Sequence, residues 1–319
     1  MTQYLERAGL RLAYDDTGAR GARPVAVLIH GWISERADLR AVGAALAPTY
    51  RVVALDAPGH GESAVPDPDT AAPRLAIPAQ AADVAALCDH LGVSGALLVG
   101  HSAGGAVAVE LAARRPDLAA AVVALDGTML FRKEVLAGVE PLLAALRTPA
   151  WREAMNGFLR QSYLPSDDPA LLAAELAAVA RMPQHVVAAV PEQFLEWDAE
   201  VALRDLRAPL LYVDAGQMTD LDRLAELVPT VAIARAAAVG MCSSSRTRGR
   251  PSRRSRTSRR PTAVARSTTA RPSSTCSRPC RRAIWTASTT SCRPTSSTTA
   301  PRPGWCRRGP RATARSSAC

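Results

Sequence analysis

Residues 100–104 read Gly-His-Ser-Ala-Gly, between an apolar run at 96–99 and a helix-like run at 105–112. This order predicts a strand, a sharp turn and a helix, with Ser102 at the apex of the turn. The flanking glycines let the two arms of the turn approach each other closely. A G-x-S-x-G pattern in this setting is typical of a nucleophile elbow, which exposes the serine hydroxyl at the end of a sheet.

Alternating strand and helix patterns surround this turn and predict a mainly parallel, doubly wound α/β sheet. Continuous apolar runs such as 25–29 and 51–55 are typical of strands buried on both faces. A hairpin is expected around Gly9. The remaining strands are predicted at 96–100, 121–125, 210–213 and 231–234, and the helices at 38–47, 79–91, 104–114 and 220–227.

The mostly helical stretch 129–206 interrupts the alternation, so we interpret it as a helical lid over the carboxyl end of the sheet. The predicted organisation is a core in two parts, 1–128 and 207–240, with this lid between them. Most large apolar side chains of the lid are expected to hold it onto the core, although some could line a pocket. These are Met129, Phe131, Trp151, Met155, Phe158, Phe194 and Trp197.

The composition changes at about residue 240. Of 39 Lys and Arg, 19 are arginines in 241–319, a stretch that has no Lys, Asp, Glu, Leu or Phe. Residues 1–240 therefore carry 20 basic against 29 acidic residues and form an acidic body. The Arg/Ser/Pro-rich tail at 241–319 lacks the apolar residues of a core and is predicted to be disordered.

The body contains one cysteine, Cys88, which favours a reducing compartment without a disulfide framework. The first residues lack the apolar core of a signal peptide, and no apolar run is long enough to span a bilayer. We therefore expect a cytoplasmic protein that is not embedded in a membrane.

From about residue 20 to 240 the chain resembles the α/β-hydrolase family of lipases, esterases and dehalogenases. Three segments carry the resemblance, in the family's order and spacing: His-Gly-Trp at 30–32, Asp-Ala-Pro-Gly-His-Gly-Glu-Ser at 56–63, and 100–105. The resemblance implies that Ser102 is a nucleophile that forms an acyl-enzyme. The backbone N–H groups of Trp32 and Ala103 would form the oxyanion hole. No cofactor or metal is implied.

The resemblance leaves the acid of the catalytic triad open. The loop after the seventh strand is short and resembles the haloalkane-dehalogenase branch, which places its acid after the sixth strand, here Asp126. Asp220 is the alternative, although it lies where a helix N-cap is expected. Asp214 ranks third. Because the nucleophile is a serine, halide chemistry is not implied.

The family's catalytic histidine follows the eighth strand, but this chain has no histidine after His185. His101, next to the nucleophile, is expected to point away from the reacting face. The chain reads Gly-Met-Cys at 240–242. If the last base of the Gly240 codon is C and the DNA is translated from that base, one base earlier than the frame given, the triplets encode His, Val, then Leu or Phe. We hypothesise that the reading frame slips near Gly240 and that the tail is out-of-frame translation.

These observations predict a serine hydrolase of small carboxylic esters or lactones that is impaired by the missing histidine. The resulting chain is expected to be weakly active and poorly soluble. The alternative is a noncatalytic hydrolase-fold protein with a basic nucleic-acid-binding tail. A tail with 19 arginines and no acidic residues would bind nucleic acid nonspecifically at low salt in either case.

Overall fold

The computed structural model describes residues 1–18, 23–165, 167–215 and 218–236. The predicted tail at 241–319, and the position after Gly240 where the histidine is missing, lie outside these residues. No helix in the described part of the chain is long and apolar enough to cross a membrane.

The strands of the described residues form one eight-stranded sheet in the order β1-β2-β4-β3-β5-β6-β7-β8. β1 and β2 form an antiparallel hairpin, β2 pairs antiparallel with β4, and the neighbours from β4 to β8 are parallel. The predicted α/β fold class is thereby confirmed. The strands are β1 (Gln3–Arg7), β2 (Leu10–Asp16), β3 (Val25–Ile29), β4 (Arg51–Leu55), β5 (Ala96–His101), β6 (Ala119–Leu125), β7 (Leu210–Asp214) and β8 (Ala232–Arg235).

Helices cover both faces of the sheet. One face packs against α3 and α4, and the other packs against α1 through Leu28, Val52 and Val99. The strands β3 and β4 are buried on both sides, which explains their continuous apolar sequences. The helices are α1 (Arg40–Leu46), α2 (Pro68–Leu75), α3 (Ile77–Leu91), α4 (Ala103–Arg114), α5 (Lys133–Leu146), α6 (Trp151–Ser162), α7 (Pro169–Arg181), α8 (Gln184–Leu195), α9 (Ala199–Asp205) and α10 (Leu221–Leu227).

Two helical features differ from the expectations. The helix expected at 38–47 begins as a 3₁₀ helix over Arg36–Leu39 and continues as α1. The helix α2 was not predicted, because it is short and contains Pro73. Its first residue is Pro68, a position that tolerates proline because that N–H has no helical acceptor.

Five helices, α5 to α9, lie between β6 and β7 within the predicted stretch 129–206, and we call them the inserted helices. Most of them share a hydrophobic cluster with α2 and Ile33 that is separate from the clusters of the sheet. The last of them, α9, packs against α4 instead. Most of the inserted segment therefore has its own core above the sheet.

Candidate active site

Ser102 lies at the turn between β5 and α4 with φ 50° and ψ −121°. A side chain in this left-handed region strains the backbone, which typically costs about 1–3 kcal/mol. Three backbone hydrogen bonds hold the turn: the Ser102 N–H donates to the Leu125 carbonyl at 3.0 Å, and the Ser102 carbonyl accepts from Gly105 at 2.9 Å and Thr128 at 3.2 Å. These contacts with the sheet and α4 thus hold Ser102 in a backbone conformation that it would not keep in an isolated peptide.

The glycines of the motif are required by close backbone approach. A Cβ on Gly100 would overlap the carbonyl oxygen of Gly104. A Cβ on Gly104 would overlap the carbonyl oxygen of Ile29, at the end of β3. The turn therefore packs directly against the neighbouring strand, as the sequence pattern predicts.

Strained residues cluster at this end of the sheet. Besides Ser102, the residues Ile33 and Asp126 have positive φ values, 57° and 47°, and they follow β3 and β6. Positive φ is unusual for an aspartate and rarer still for a β-branched isoleucine. Such outliers concentrate at functional sites, where the surrounding structure over-determines them. The carboxyl ends of three adjacent strands are therefore the candidate site.

A cavity of about 420 Å³ opens above these strand ends. Trp32, Ser102 and Thr128 line it from the sheet side. The inserted helices contribute mainly apolar side chains, including Leu136, Leu143, Met155, Phe158, Val190 and Phe194. His101 is also among the lining residues, although it is buried. The serine predicted as nucleophile thus faces an apolar chamber roofed by the inserted helices.

The two predicted oxyanion donors lie in this chamber. Ala103 is the first residue of α4, so its N–H has no acceptor within that helix. The backbone N–H of Trp32 makes no hydrogen bond to another described residue. Both residues line the cavity beside Ser102.

The Trp32 side chain joins the sheet to the inserted helices. Its indole N–H donates to the carbonyl oxygen of Val187 at 3.1 Å. In α8 that carbonyl would normally accept from the residue four positions later, which is Pro191 and has no N–H. Trp32 therefore supplies the hydrogen bond that the proline removes from the helix.

The three candidate acids have different surroundings. Asp126 is 4% exposed, and its Oδ1 accepts from the Ala215 N–H at 3.3 Å. Burial, with a further contribution from Asp214, raises the pKa of Asp126 to about 6 despite that hydrogen bond. Asp214 is also buried and ends the neighbouring strand β7. Asp220 caps α10, because its carboxylate accepts from the Arg223 N–H at 3.0 Å.

The described histidines do not pair with the Ser102 hydroxyl. Its hydrogen-bond neighbour within the described chain is the Thr128 hydroxyl, 3.4 Å away. His30 uses both ring nitrogens structurally, donating to the Gly31 carbonyl at 2.8 Å and accepting from the Ala57 N–H at 2.9 Å. His60 is buried against His30, and this burial lowers its pKa to about 3.

The segment at 56–63, one of the three that resemble the family, stabilises the loops around it. Asp56 is fully buried, and its carboxylate accepts from the Arg36 N–H at 2.7 Å and the Glu62 N–H at 2.9 Å. It also forms an ion pair with the Arg36 side chain. This segment therefore fastens the loops after β3 and β4 without entering the cavity.

The sequence analysis did not identify two of the residues that line the cavity. Thr128 follows Asp126 by two positions, and its hydroxyl faces Ser102. Glu175 is a buried residue of α7 that also lines the cavity. The sequence carries no signal for Glu175, because its helix looks like any amphipathic helix. Among the described residues, no three His, Cys, Asp or Glu side chains converge as metal ligands would.

Comparison with known proteins identifies the family to which this fold belongs. A family model described as the alpha/beta hydrolase fold matches residues 24–212, more than half of the chain. The 30 kDa subunit of magnesium chelatase from Rhodobacter capsulatus is 36% identical over 129 residues, 40% of this chain and 43% of that protein. The 2-(acetamidomethylene)succinate hydrolase of Mesorhizobium japonicum is 34% identical over 121 residues, 38% of this chain and 42% of that protein. The chain thus spans less than half the length of these curated relatives.

Solved structures agree over a longer range. The enol-lactonase from Burkholderia xenovorans LB400 matches with a TM-score of 0.65 and 23% identity over 76% of this chain and 94% of its own. Est816, an N-acyl homoserine lactone degrading enzyme, matches with a TM-score of 0.64 and 24% identity over 76% and 94%. At these identities the likeness shows the fold alone. Together with the family model over residues 24–212, the sheet and its elbow show that this chain belongs to the α/β-hydrolase family.

Proposed function

We propose that this chain derives from a serine hydrolase of small carboxylic esters or lactones, with Ser102 as the nucleophile. The observation that carries the proposal is the strained Ser102 backbone, φ 50°, at the floor of an apolar cavity. In the reaction the Ser102 oxygen attacks the carbonyl carbon, and the N–H groups of Trp32 and Ala103 stabilise the oxyanion. The alcohol leaves with the proton taken from Ser102, and water then hydrolyses the acyl-enzyme.

The surroundings of Asp126 support its role as the acid of the triad. Its carboxylate is buried beside Asp214, and its pKa is raised. An imidazolium close by would be stabilised by such a carboxylate and would lower its pKa in return. Asp220 fits the role less well, since its carboxylate already caps α10.

The base is the part that this chain lacks, and we propose that a frame slip near Gly240 removed it. A restored frame would read Gly-His followed by apolar residues after β8. The four residues of β8 are exposed, Ile233 to 42%. The rest of a restored chain could cover this strand, and its loss would account for the low solubility that we expect.

Active-site labelling tests the proposal. A fluorophosphonate probe should label the frame-restored chain rapidly and the present chain slowly or not at all, because loss of one triad member typically costs several orders of magnitude. Ser102→Ala should abolish labelling in the restored chain. Ser34→Ala is the matched control, since Ser34 also lines the cavity but its hydroxyl donates to Asp38. Equal labelling of the Ser102→Ala and Ser34→Ala chains would contradict the assignment.

A noncatalytic role is the alternative. One curated relative carries the name of a magnesium-chelatase subunit, which is not that of a hydrolase. In that case the reading frame is intact, and the chain as it stands would bind ligands in the cavity without turnover. Deleting 241–319 would then remove the nonspecific nucleic-acid binding predicted for the tail and leave the fold unchanged. A cytoplasmic location stays a prediction.

A further inference from the structure

The cavity above the elbow serine is closed at one side and open at the other. Met155, Leu159 and Val190 line it and are 1%, 3% and 4% exposed, because they belong to the hydrophobic cluster of the inserted helices. Glu140 of α5 and Leu195 at the end of α8 also line it, yet both are exposed, Leu195 to 44%. The cavity therefore extends from solvent, beside α5 and α8, into the core of the inserted helices.

The closed side suits hydrocarbon better than a charged group. Its walls are mainly apolar side chains, and no Arg or Lys of the described residues lines the cavity. The polar exception is Glu175, which has its own partner within the protein and a buried Oε2 atom, so we assign it no contact with a ligand. A hydrocarbon chain that moves from water into this side gains affinity with each CH2 group that it buries.

The two halves of an ester leave such a site at different times. In the proposed reaction the alcohol departs when Ser102 is acylated, and the acyl group stays on Ser102 until water attacks. The alcohol therefore needs the open side first, and the attacking water enters there. Because the N–H groups of Trp32 and Ala103 would fix the carbonyl oxygen beside Ser102, the acyl chain is left with the closed side.

The volume of the cavity limits the length of the acyl chain. The cavity of about 420 Å³ corresponds to about fourteen groups of about 30 Å³ each, which is the share of one water molecule in the liquid and close to the size of a CH2 group. The methyl ester of decanoic acid has about thirteen non-hydrogen atoms and would nearly fill it. Longer acids would have to extend into solvent.

We propose that the cavity binds esters of straight-chain acids up to about the length of decanoic acid. The acyl chain lies at the closed side among Met155, Leu159 and Val190, and a small alcohol group lies toward Glu140 and Leu195. The proposal deepens the proposed function and rests on it for the position of the ester group. Binding of the chain depends on the apolar cavity, so it can be measured without the missing base.

A series of esters tests the length limit in the full chain as it stands. Methyl esters of butyric, hexanoic, octanoic, decanoic and dodecanoic acid are titrated below their solubility limits and followed by tryptophan fluorescence, since Trp32 lines the cavity. We expect the affinity to rise about fourfold for each added CH2 group up to decanoic acid and to level off beyond it. An affinity that ignores chain length, one that keeps rising through dodecanoic acid, or no binding of any ester would overturn the proposal.

Two variants at the closed side should move this limit in opposite directions. Leu159→Ala enlarges the closed side and should make the dodecanoic ester bind at least about fourfold more tightly than the decanoic ester. Val190→Phe fills the closed side and should lower the limit to octanoic acid or below. The two variants are independent, so one of them suffices if the other does not fold.

Leu172→Ala is the matched control for Leu159→Ala, because Leu172 packs against the same hydrophobic cluster without lining the cavity. Its length limit should equal that of the unsubstituted chain. An unchanged limit in the folded closed-side variants, or the same shift in Leu172→Ala as in Leu159→Ala, would refute this placement of the chain.

Two isomeric esters test the orientation in the frame-restored chain. Methyl octanoate and heptyl acetate have the same atoms, but the long chain belongs to the acid in the first and to the alcohol in the second. Mass spectrometry should show acylation of Ser102 by methyl octanoate at least about tenfold faster than by heptyl acetate. Equal or faster acylation by heptyl acetate would overturn the orientation.

The same experiments separate this proposal from the proposed function. Binding that follows chain length without acylation by either ester would refute the hydrolase and support the acyl-binding cavity. Acylation of Ser102 without a length limit would support the hydrolase and refute the acyl-binding cavity.

Discussion

The hydrogen bond between Trp32 and Val187 leads to a sharp prediction about how the inserted helices are held to the sheet. The indole N–H of Trp32 donates to the Val187 carbonyl at 3.1 Å, at the one place in α8 where Pro191 leaves a carbonyl without its helical donor. Trp32→Phe keeps an aromatic ring near Phe158 but removes the donor. The fully buried Val187 would then present an unsatisfied carbonyl to an apolar interior.

The expected cost follows from that unsatisfied group. Leaving a buried acceptor without its partner typically costs about 1–3 kcal/mol, so Trp32→Phe should lower the free energy of unfolding by about this amount. Pro191→Ala tests whether the missing helical donor is the cause of this cost, because alanine restores a backbone N–H that can donate to the Val187 carbonyl. In the Pro191→Ala background, Trp32→Phe should cost only the lost packing, about 1 kcal/mol or less.

Urea denaturation of the four chains of this double-mutant cycle gives the answer. The wild-type, single-variant and double-variant chains are compared by the change in unfolding midpoint at constant slope. A coupling energy of at least about 1 kcal/mol between positions 32 and 191 is expected. If Trp32→Phe costs the same with proline and with alanine at 191, the hydrogen bond does not replace the helical donor and the reasoning fails.

Three further predictions concern the strand ends and the buried acids and bases. Burial raises the pKa of Asp126, so the wild-type fold loses stability as the pH rises from about 4 through 6. Asp126→Asn removes this charge and should therefore raise the free energy of unfolding above about pH 6 by about 2–3 kcal/mol. If the wild-type and Asp126→Asn chains show the same dependence of the unfolding free energy on pH, the prediction is refuted. Gly104→Ala should lower the free energy of unfolding by about 2–4 kcal/mol, because the added Cβ would overlap backbone atoms. Gly138→Ala is the control: a Cβ there meets open space on α5, and thermal unfolding should show a free energy of unfolding that is about 0.5–1 kcal/mol higher. The lowered pKa of His60 means that stability is lost as pH falls from 6.5 toward 3, so His60→Gln should show a shallower acid unfolding curve, and an unchanged curve would exclude His60 as the cause.

Much of the sheet and the turn at Ser102 could be predicted from the sequence. The strands β3 and β4 were predicted at 25–29 and 51–55, where the structure has them, because strands buried on both faces need unbroken apolar sequence. The helix α2 could not be predicted in the same way, since a short helix with an internal proline has a weak pattern.

The sequence by itself determined the order of the strands, the glycines around Ser102 and the absence of a histidine after His185. Local patterns and short motifs encode these features directly. Only the tertiary structure decided that Asp126 lies buried beside Asp214, that Trp32 completes a helix interrupted by a proline, and that Glu175 is among the residues lining the cavity. These contacts join residues that are distant in the chain, and their energies depend on burial and distance, which no local pattern of residues specifies.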